Sequence, residues 1–453
     1  MNGVSMRPTA PAPIHTVTEL PGQITQQLRS PGGWLEDPVT AGVVLTLAVL
    51  VAAGWAALAW RWHRHGTRPR HPVPRRAGLS LVVLVLALVG GLLAVNSYAG
   101  YVPSLGALGE LLTGSSSVGD APKGTFVTHL DTKVPLGASY RHPARVTTVT
   151  IGAPALGVPA LRTYVYLPAG YDDPANAKVR YPVVYLIHGY PGKSSDWLRA
   201  GSADQAMNLL TARRLVHPMI IVMPDANGGW LHDSECLNAV HGQQLETYLS
   251  QTVVATIDHA FRTRADRRYR AIGGMSSGAY CALNLGLHHL DTYSVILASE
   301  PYGTPGQRAL DDLLAHDQAL YEKNSPAAYL PRLAFTHPVA VFLDAGSDDR
   351  YTTSAANELA RLLAARSQYV ALRSAPGLGH TWREARAELP YSLVFADQHF
   401  GATGGAAAPY RRSRPTPVRA RSGRRGTRTR AHSTGARSPA PGPAVPAGGP
   451  SPG

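Results

Sequence analysis

The amino-acid sequence predicts an α/β fold with a mostly parallel central sheet, preceded by two transmembrane helices. Two long uncharged apolar runs near the N-terminus predict the helices. Downstream, from about residue 126 to 400, short apolar runs alternate with amphipathic stretches, a pattern typical of a parallel sheet covered by helices. Apolar residues fill 44% of the 453 positions, which is enough for a folded core and argues against disorder throughout the chain.

The two apolar runs are long enough to cross a bilayer. Residues 39–60 comprise 22 positions and residues 77–95 comprise 19, and none of them is charged. About 20 apolar helical residues cross a hydrocarbon core of roughly 30 Å. A buried core helix is the alternative, but uncharged runs of this length are rare in soluble domains. A cleaved signal peptide is disfavoured because 38 mostly polar residues precede the first run.

The loop between the runs, residues 61–76, predicts their orientation. Its six Arg and three His favour the cytoplasmic side, because short cytoplasmic loops are enriched in positive charge. Both termini then lie outside the cytoplasm. We therefore expect a multi-pass protein of the cell membrane with two helices and an extracytoplasmic folded domain.

Composition divides the chain into five segments. Residues 1–38 are polar and contain several Pro, so we expect a flexible extracytoplasmic segment. Residues 39–95 hold the two helices, residues 96–123 form a Gly- and Ser-rich connector, and residues 124–400 form the folded domain. Residues 401–453 consist almost entirely of Gly, Ala, Pro, Ser, Thr and Arg, which predicts a disordered tail.

The formal net charge of +14 belongs to the loop and the tail. The loop contains six Arg, the tail contains ten, neither contains an acid, and the rest of the chain sums to −2. The folded domain is therefore close to neutral, and nucleic acid is not an expected partner. Outside the cell the tail could contact anionic lipid or a cell-wall polymer, and a solvated extension without a partner is the alternative.

Within the folded domain the apolar runs predict eight strands, and amphipathic stretches between them predict four helices. The predicted strands are residues 146–151, 163–167, 183–187, 220–223, 269–273, 294–298, 339–344 and 369–374. The predicted helices are residues 205–213, 244–261, 277–288 and 355–365.

A strand–turn–helix pattern at residues 269–280 contains the candidate nucleophile. The segment reads YRAIGGMSSGAY, in which Gly274, Ser276 and Gly278 form the pattern G-x-S-x-G. Small flanking residues are needed because larger side chains beside such a sharp turn would clash with neighbouring backbone. The helix that follows directs free N–H groups toward developing negative charge. This nucleophile elbow predicts an α/β-hydrolase fold with Ser276 as the nucleophile.

A serine nucleophile needs a base and a group that orients the base. In α/β-hydrolases the acid and then the histidine follow the serine along the chain. The strand predicted at residues 339–344 leads into two further acids, and we predict Asp349 as the acid, with Asp348 and Asp344 as alternatives. His380 lies in a Gly-rich loop after the last strand and is the predicted base; an ordinary loop histidine is the alternative.

The predicted oxyanion hole consists of two backbone N–H groups. Ser277 supplies one at the start of the helix after the nucleophile. Tyr190 supplies the other, from the loop HGYPG after the strand predicted at residues 183–187.

The two cysteines, Cys236 and Cys281, are too few for a disulfide scaffold, and the sequence has no cluster with metal-ligand spacing. An extracytoplasmic location would permit one disulfide between them. Two unpaired cysteines are the alternative.

Four motifs in the expected order resemble the esterase D-type branch of the α/β-hydrolase superfamily. They are RYPVVYLIHGYPGKSSDW, MIIVMPDANGG, YRAIGGMSSGAYCALNLGLHH and GLGHTW, and the resemblance covers roughly residues 146–400. This branch includes S-formylglutathione hydrolases, feruloyl esterases and actinobacterial mycolyltransferases. The resemblance implies a Ser276–Asp349–His380 triad, a covalent acyl-enzyme, and neither a metal nor an organic cofactor. The two-helix anchor resembles that of membrane-anchored actinobacterial members.

Two positions depart from the pattern that mycolyltransferases show. His188 stands where those enzymes usually carry Asp, and Asp349 stands where they carry Glu. The two spans also differ from the cytosolic formylglutathione hydrolases. The sequence therefore predicts an extracytoplasmic serine esterase acting on a small-molecule or lipid ester. Acyl transfer to a sugar hydroxyl is the first alternative. A non-catalytic envelope-binding module is the second, and the intact Ser, His, acid and Gly positions disfavour it.

Overall fold

The computed structural model describes residues 12–17, 19–22, 24–25, 33–66, 72–102, 105, 108–109, 142–229 and 232–401. The predicted tail from residue 402 onward, most of the predicted connector and the centre of the predicted basic loop lie outside the described residues.

A nine-stranded sheet forms the centre of the described part of the chain. Its strands are β1 (Ile14–Thr16), β2 (Arg145–Ala153), β3 (Val158–Leu167), β4 (Val183–Ile187), β5 (Ile220–Met223), β6 (Arg270–Met275), β7 (Val295–Ser299), β8 (Ala340–Gly346) and β9 (Tyr369–Ala375). In space they follow the order β1-β9-β8-β7-β6-β4-β5-β3-β2. The pairs β2–β3 and β3–β5 are antiparallel, and the other neighbours are parallel. All eight predicted strands are present, and the predicted mostly parallel α/β fold is confirmed.

The α-helices of the described residues are α1 (Pro38–His65), α2 (Pro72–Ala99), α3 (Asp196–Arg199), α4 (Ala203–Ala212), α5 (Leu245–Thr247), α6 (Val254–Ala260), α7 (Ser277–His288), α8 (Gln307–Asp312), α9 (Gln318–Lys323), α10 (Pro326–Tyr329), α11 (Arg350–Ala365) and α12 (Trp382–His399), with a π-helical segment, Tyr248–Val253, joining α5 to α6. Of these, α7 and α11 cover one face of the sheet, and α4 and α12 cover the other.

The core consists of two apolar layers separated by the sheet. Alternate residues of β4 enter opposite layers: Tyr185 packs in the layer that contains α7 and α11, and Leu186 packs in the layer that contains α4 and α12. Successive strand residues point to opposite faces, so a strand covered on both sides reads as a continuous apolar run. Each fully buried Leu or Ile contributes roughly 1.5–3 kcal/mol of transfer free energy. Because β4, β6, β7 and β8 are parallel, this packing places their carboxyl ends side by side at the same end of the sheet.

Helices α1 and α2 pack against each other, and their apolar side chains point outward. Gly90 of α2 allows close contact, since a Cβ there would lie 2.7 Å from the Leu45 Cδ2 atom of α1. Both helices are long and apolar enough to cross a membrane, and only 11% of each apolar window is buried. The helices also extend beyond the predicted runs, and α1 ends at His65 inside the predicted loop.

Within the segment predicted to be flexible, residues 1–38, the described residues have defined contacts with the folded domain. Ile14–Thr16 forms β1, which pairs in parallel with β9 at the edge of the sheet. Ile24 is 2% exposed in the core, and Glu36 is fully buried. An edge strand such as β9 presents unpaired backbone groups that a short extended segment can satisfy. Three residues are too few to produce a recognisable strand pattern, which is why the sequence did not predict β1.

Candidate active site

Ser276 lies on the strained turn that joins β6 to α7. Its φ of 59° and ψ of −120° are unusual for a residue with a side chain. Its backbone N–H donates to the Ser299 carbonyl oxygen over 3.0 Å, which ties the turn to the neighbouring strand β7. A Cβ on Gly274 would lie 2.2 Å from the Gly278 carbonyl oxygen, and a Cβ on Gly278 would lie 2.3 Å from that of Ile187. Both glycines of the elbow are therefore required by close backbone contacts.

Three of the predicted site residues form one hydrogen-bonded chain. The His380 Nε2 atom lies 2.7 Å from the Ser276 Oγ atom. The His380 Nδ1 atom lies 2.9 Å from the Asp349 Oδ2 atom. Because the Asp349 carboxylate can only accept, Nδ1 carries the proton, and Nε2 is left to accept the hydroxyl proton of Ser276. This tautomer is the one that a general base for Ser276 needs.

Asp349 is held in place by its own helix. It is the N-cap of α11, where its Oδ1 atom accepts the backbone N–H of Tyr351 at 3.0 Å and of Thr352 at 3.4 Å. Its Oδ2 atom accepts the Thr352 hydroxyl at 2.6 Å. Burial acts to raise the pKa of Asp349, but the hydrogen bonds from Thr352 and His380 outweigh it, so the pKa lies below its ordinary value. Asp349 is therefore an anion at neutral pH.

The two alternative acids lie elsewhere. Asp348 is exposed and accepts the Ser347 hydroxyl at 3.1 Å. Asp344 is fully buried and forms an ion pair with Arg373 of β9. Neither makes a hydrogen bond to His380 in the described part of the structure, so Asp349 alone of the three has the predicted geometry.

Of the two predicted oxyanion donors, Ser277 directly follows the nucleophile, and Tyr190 lies in a loop that passes close to it. Ser277 is the first residue of α7, so its N–H has no acceptor within the helix. Tyr190 follows β4, which pairs with β6 so that Ile187 lies opposite Gly274. The loop after β4 passes very close to the nucleophile: a Cβ on Gly189 would lie 3.5 Å from the Ser276 Cβ atom.

His188 fixes that loop through a defined tautomer. Its Nε2 atom accepts the backbone N–H of Ala226 at 3.1 Å, so its Nδ1 atom carries the proton and donates to the Gly189 carbonyl oxygen at 2.9 Å. His188 is 2% exposed. The side chain thus joins the loop after β4 to the loop after β5. Trp197 supports the same loop from behind, since its Nε1–H donates to the Ile187 carbonyl oxygen at 2.8 Å.

Glu300 is a neighbour of the triad that the sequence interpretation missed. It follows β7, has a φ of 55° and is fully buried. Its Oε2 atom lies 3.9 Å from the His380 Nδ1 atom, and neither carboxyl oxygen makes a well-formed hydrogen bond to the described residues. Burial, with the nearby Asp349 and Asp344 carboxyls, raises the pKa of Glu300 to about 9. An acid directly after a buried strand was the available signal, the same one that indicated Asp349.

One group of three side chains in the described ranges could in principle hold a metal ion. The ligand atoms of Glu300, Asp349 and His380 lie within 4.8 Å of one another. Glu300 is protonated at neutral pH, and the His380 Nδ1 atom already donates to Asp349. Two of the three ligand atoms are therefore already joined by a hydrogen bond, and the third belongs to a neutral carboxyl group.

A disulfide joins Cys236 to Cys281, with the two Cα atoms 5.6 Å apart. Cys281 lies on α7, four residues after Ser277, and Cys236 lies in the long loop between β5 and α5. The bond therefore fastens that loop to the helix of the nucleophile elbow. Of the two possibilities left open by the sequence, the structure has the paired one.

The fold and the site together define a serine esterase of the α/β-hydrolase class. The sequence family described as "Putative esterase" matches residues 160–393, so the chain belongs to that family. The match includes all three residues of the hydrogen-bonded chain.

Individual proteins and one solved structure are similar to parts of this chain. An uncharacterised protein of Corynebacterium glutamicum is 27% identical over 349 residues, which cover 71% of this chain and 80% of the relative. An endo-1,4-beta-xylanase/feruloyl esterase of Xylanibacter ruminicola is 35% identical over 117 residues, which cover 25% of this chain and 16% of that protein. Among solved structures, a ferulic acid esterase is 25% identical with a TM-score of 0.50, covering 57% of this chain and 99% of that one.

Proposed function

We propose that this chain is a membrane-anchored, extracytoplasmic serine esterase that hydrolyses a carboxylic ester through a covalent acyl-enzyme on Ser276. The observation that carries the proposal is the hydrogen-bonded chain from Ser276 through His380 to Asp349, with distances of 2.7 and 2.9 Å. A non-catalytic binding module has no need of this geometry or of the strained turn that exposes Ser276.

In the first half of the reaction, the Ser276 Oγ atom attacks the ester carbonyl carbon while His380 Nε2 takes the hydroxyl proton. The backbone N–H groups of Tyr190 and Ser277 stabilise the oxyanion, and one such donor typically contributes about 10²–10³ in rate. The bond to the alcohol oxygen then breaks, and His380 returns the proton to the leaving alkoxide. Asp349 stabilises the imidazolium throughout, since its low pKa keeps it charged.

In the second half, water replaces the alcohol. His380 takes a proton from the water, the resulting hydroxide attacks the acyl carbon, and the bond to Ser276 Oγ breaks as His380 returns the proton to the serine. The products are a carboxylic acid and free enzyme. If a sugar hydroxyl replaced water here, the same residues would perform acyl transfer.

Two properties of α1 and α2 support membrane anchoring. The most apolar stretch of α1 has a mean hydropathy of 2.2, and that of α2 has a mean hydropathy of 2.7. Large apolar side chains on them are exposed: Leu50 is 61% exposed and Leu92 is 70% exposed. A core helix of a soluble protein would bury such residues, whereas a bilayer covers them.

Two observations support an extracytoplasmic domain. Strand β1 precedes the helices in the chain and β2–β9 follow them, yet all belong to one sheet, as expected if two spans return the chain to the same side. The disulfide between Cys236 and Cys281 fits an oxidising compartment. The arginines near the far end of α1, including Arg61 and Arg64, fit the cytoplasmic side.

A p-nitrophenyl ester assay on the full-length protein tests the catalytic part of the proposal. We expect a stoichiometric burst of p-nitrophenol, an enzyme mass increased by the acyl group, and the loss of both in Ser276→Ala. Hydrolysis that survives in Ser276→Ala would refute the proposal. Adding sugar acceptors to the same assay distinguishes acyl transfer, because an acylated sugar would accumulate in place of free acid.

A labelling experiment on intact cells or spheroplasts tests the topology. A cysteine introduced at Arg64 should resist a membrane-impermeant thiol reagent, and a cysteine introduced at Val179 in the folded domain should react. The opposite pattern would place the domain in the cytoplasm.

A further inference from the structure

The start of α1 and the end of α2 lie at the same end of the helical hairpin, next to the folded domain. We call residues 34–36 and 96–102 at this end the cap. The Asn96 side chain donates to the carbonyl oxygens of Leu35 and Val102, both at 2.9 Å, and accepts the Val102 N–H at 2.8 Å. It thereby joins the segment before α1 to the segment after α2. Trp34 is 54% exposed and Tyr98 is 66% exposed at this end. Trp and Tyr in such positions are typical of the membrane–water interface.

This cap rests directly on the loop that carries the catalytic histidine. The Arg383 Nη1 atom donates to the Ser97 carbonyl oxygen at 2.6 Å. The Tyr98 hydroxyl lies against Gly379, where a Cβ would approach it to 2.9 Å. Consecutive Cα atoms are about 3.8 Å apart, so the backbone of His380 lies within about 8 Å of the Tyr98 hydroxyl.

The cap also touches the loop on the other side of the site. The Tyr101 hydroxyl donates to the Asp196 Oδ1 atom at 3.3 Å. The Asp196 Oδ2 atom accepts the backbone N–H of Lys193 at 2.9 Å, in the loop that contains Tyr190. Residues 97–101 thus contact the loops of both the predicted base and a predicted oxyanion donor.

A buried ion pair fixes this arrangement. Arg386 of α12 bonds Glu36, with an Nη2–Oε2 distance of 3.0 Å, and the two side chains are 4% and 0% exposed. Removing one partner of such a pair is strongly destabilising, because the other is left buried and uncompensated. The catalytic domain is therefore docked firmly on the hairpin and is not held only by a tether.

From this docking we propose that the active site operates at the membrane surface and takes its ester substrate from the lipid layer. The inference rests on the proposed function, because it needs both the anchor and the esterase chemistry. The uncharged run at residues 39–60, at 1.5 Å per residue, matches the hydrocarbon core of roughly 30 Å. The aromatic cap then lies at headgroup level, with the His380 loop against it. The substrate class is an amphiphile whose ester group lies in the headgroup region and whose acyl chain lies in the bilayer.

A depth measurement on full-length protein in lipid nanodiscs tests the placement. Tyr351, two residues after Asp349, is 67% exposed and accepts a fluorophore through Tyr351→Cys; the native cysteines are both in the disulfide. Lipids with a headgroup nitroxide should quench this fluorophore. The matched control is Val179→Cys. Val179 is 41% exposed and precedes β4, at the amino ends of the parallel strands and so at the end of the sheet opposite to the active site. A fluorophore at this position should not be quenched. Equal quenching at both sites, or none at Tyr351→Cys, would overturn the proposal.

An activity ratio on the same nanodiscs tests the substrate class. The probes are a 4-methylumbelliferyl palmitate embedded in the bilayer and the soluble acetate of the same alcohol. Tyr98→Ala with Arg383→Ala removes two docking contacts and should lower the palmitate-to-acetate rate ratio at least about tenfold, because only the embedded ester depends on the position of the site relative to the bilayer. Arg332→Ala, on the exposed surface, is the control and should leave the ratio unchanged.

The outcomes separate the two proposals. If the wild-type protein shows no Ser276-dependent hydrolysis of either ester, the proposed esterase activity itself is refuted. Hydrolysis of the soluble ester with no turnover of the embedded one, or an unchanged ratio in the double variant, would leave the esterase standing and refute uptake from the lipid layer. The depth measurement uses an otherwise native chain, so it decides the placement even if the double variant fails to fold.

Discussion

Replacing Asp349 with Asn gives a sharp test of the triad, because the structure determines which way the amide must point. The Oδ1 position accepts two backbone N–H groups of α11, so the amide oxygen of the substituted side chain would stay there. The amide NH2 would then occupy the Oδ2 position, which faces His380 Nδ1 at 2.9 Å. Two donors cannot face each other, so Nδ1 would lose its proton and Nε2 would carry one. A protonated Nε2 cannot accept the proton of Ser276.

The expected loss is about 10⁴ in kcat, equivalent to about 5.5 kcal/mol of transition-state stabilisation. The free energy of unfolding should fall by less than about 1 kcal/mol, because Asn caps a helix nearly as well as Asp. Initial rates on a p-nitrophenyl ester and thermal unfolding of the same preparation measure both quantities.

Two matched substitutions complete that experiment. Asp348→Asn alters an exposed side chain bonded to Ser347 and should retain wild-type activity. Asp344→Asn leaves the Arg373 charge buried without an opposite charge and should lose roughly 3–5 kcal/mol of stability. Activity of Asp349→Asn within tenfold of wild type, or a larger loss in Asp348→Asn, would refute the assignment of the acid.

Three further predictions concern Glu300, the elbow and the disulfide. Glu300 stays protonated in the folded protein up to about pH 9 but ionises near 4.5 when unfolded, so the free energy of unfolding falls as pH rises through that window. Glu300→Gln cannot ionise, so its free energy of unfolding should gain on that of wild type as the pH rises. The difference between variant and wild type should be more than about 1 kcal/mol larger at pH 8 than at pH 5. Equal differences in melting temperature at the two pH values would contradict this. Gly278→Ala places a Cβ 2.3 Å from the Ile187 carbonyl oxygen and should abolish activity, whereas Gly229→Ala, whose nearest neighbour is 3.8 Å away, should be neutral; an active Gly278→Ala would show that the elbow can relax. Replacing Cys236 and Cys281 with Ser opens a loop with a sequence separation of 45 and should cost up to about 4 kcal/mol on chain-entropy grounds, measured by denaturant unfolding; unchanged stability would mean that the bond does not form.

The sequence predicts the sheet well because buried parallel strands are continuous apolar runs. β4 and β5 begin and end where the pattern places them, and the elbow between β6 and α7 has a signature of its own. Helix α12 was not predicted. It contains Pro390, and charged residues such as Glu384 and Arg386 occupy buried positions, so its sequence lacks the regular apolar spacing of an amphipathic helix. The sequence gives no local sign of what these charged groups meet, because their partners lie far away in the chain.

The same limit explains which site residues could be anticipated. Ser276 and His380 stand in Gly-rich turns after strands, so short-range patterns indicate them. The choice among Asp344, Asp348 and Asp349 depends on which carboxylate reaches His380, and that is settled by the pairing of β8 with β9. The docking of residues 97–101 on the catalytic loops involves positions almost three hundred residues apart and appears only in the folded chain.

The most direct test of the central claim is reaction of the full-length protein with a fluorophosphonate probe, followed by mapping of the labelled peptide. Such probes form a covalent bond only with a serine that is activated by its neighbours. We predict labelling at Ser276, greatly slowed labelling in Asp349→Asn, and none in Ser276→Ala. Absence of labelling in the wild type, or equal labelling of Ser276→Ala, would contradict the assignment of this chain as a serine esterase acting through Ser276.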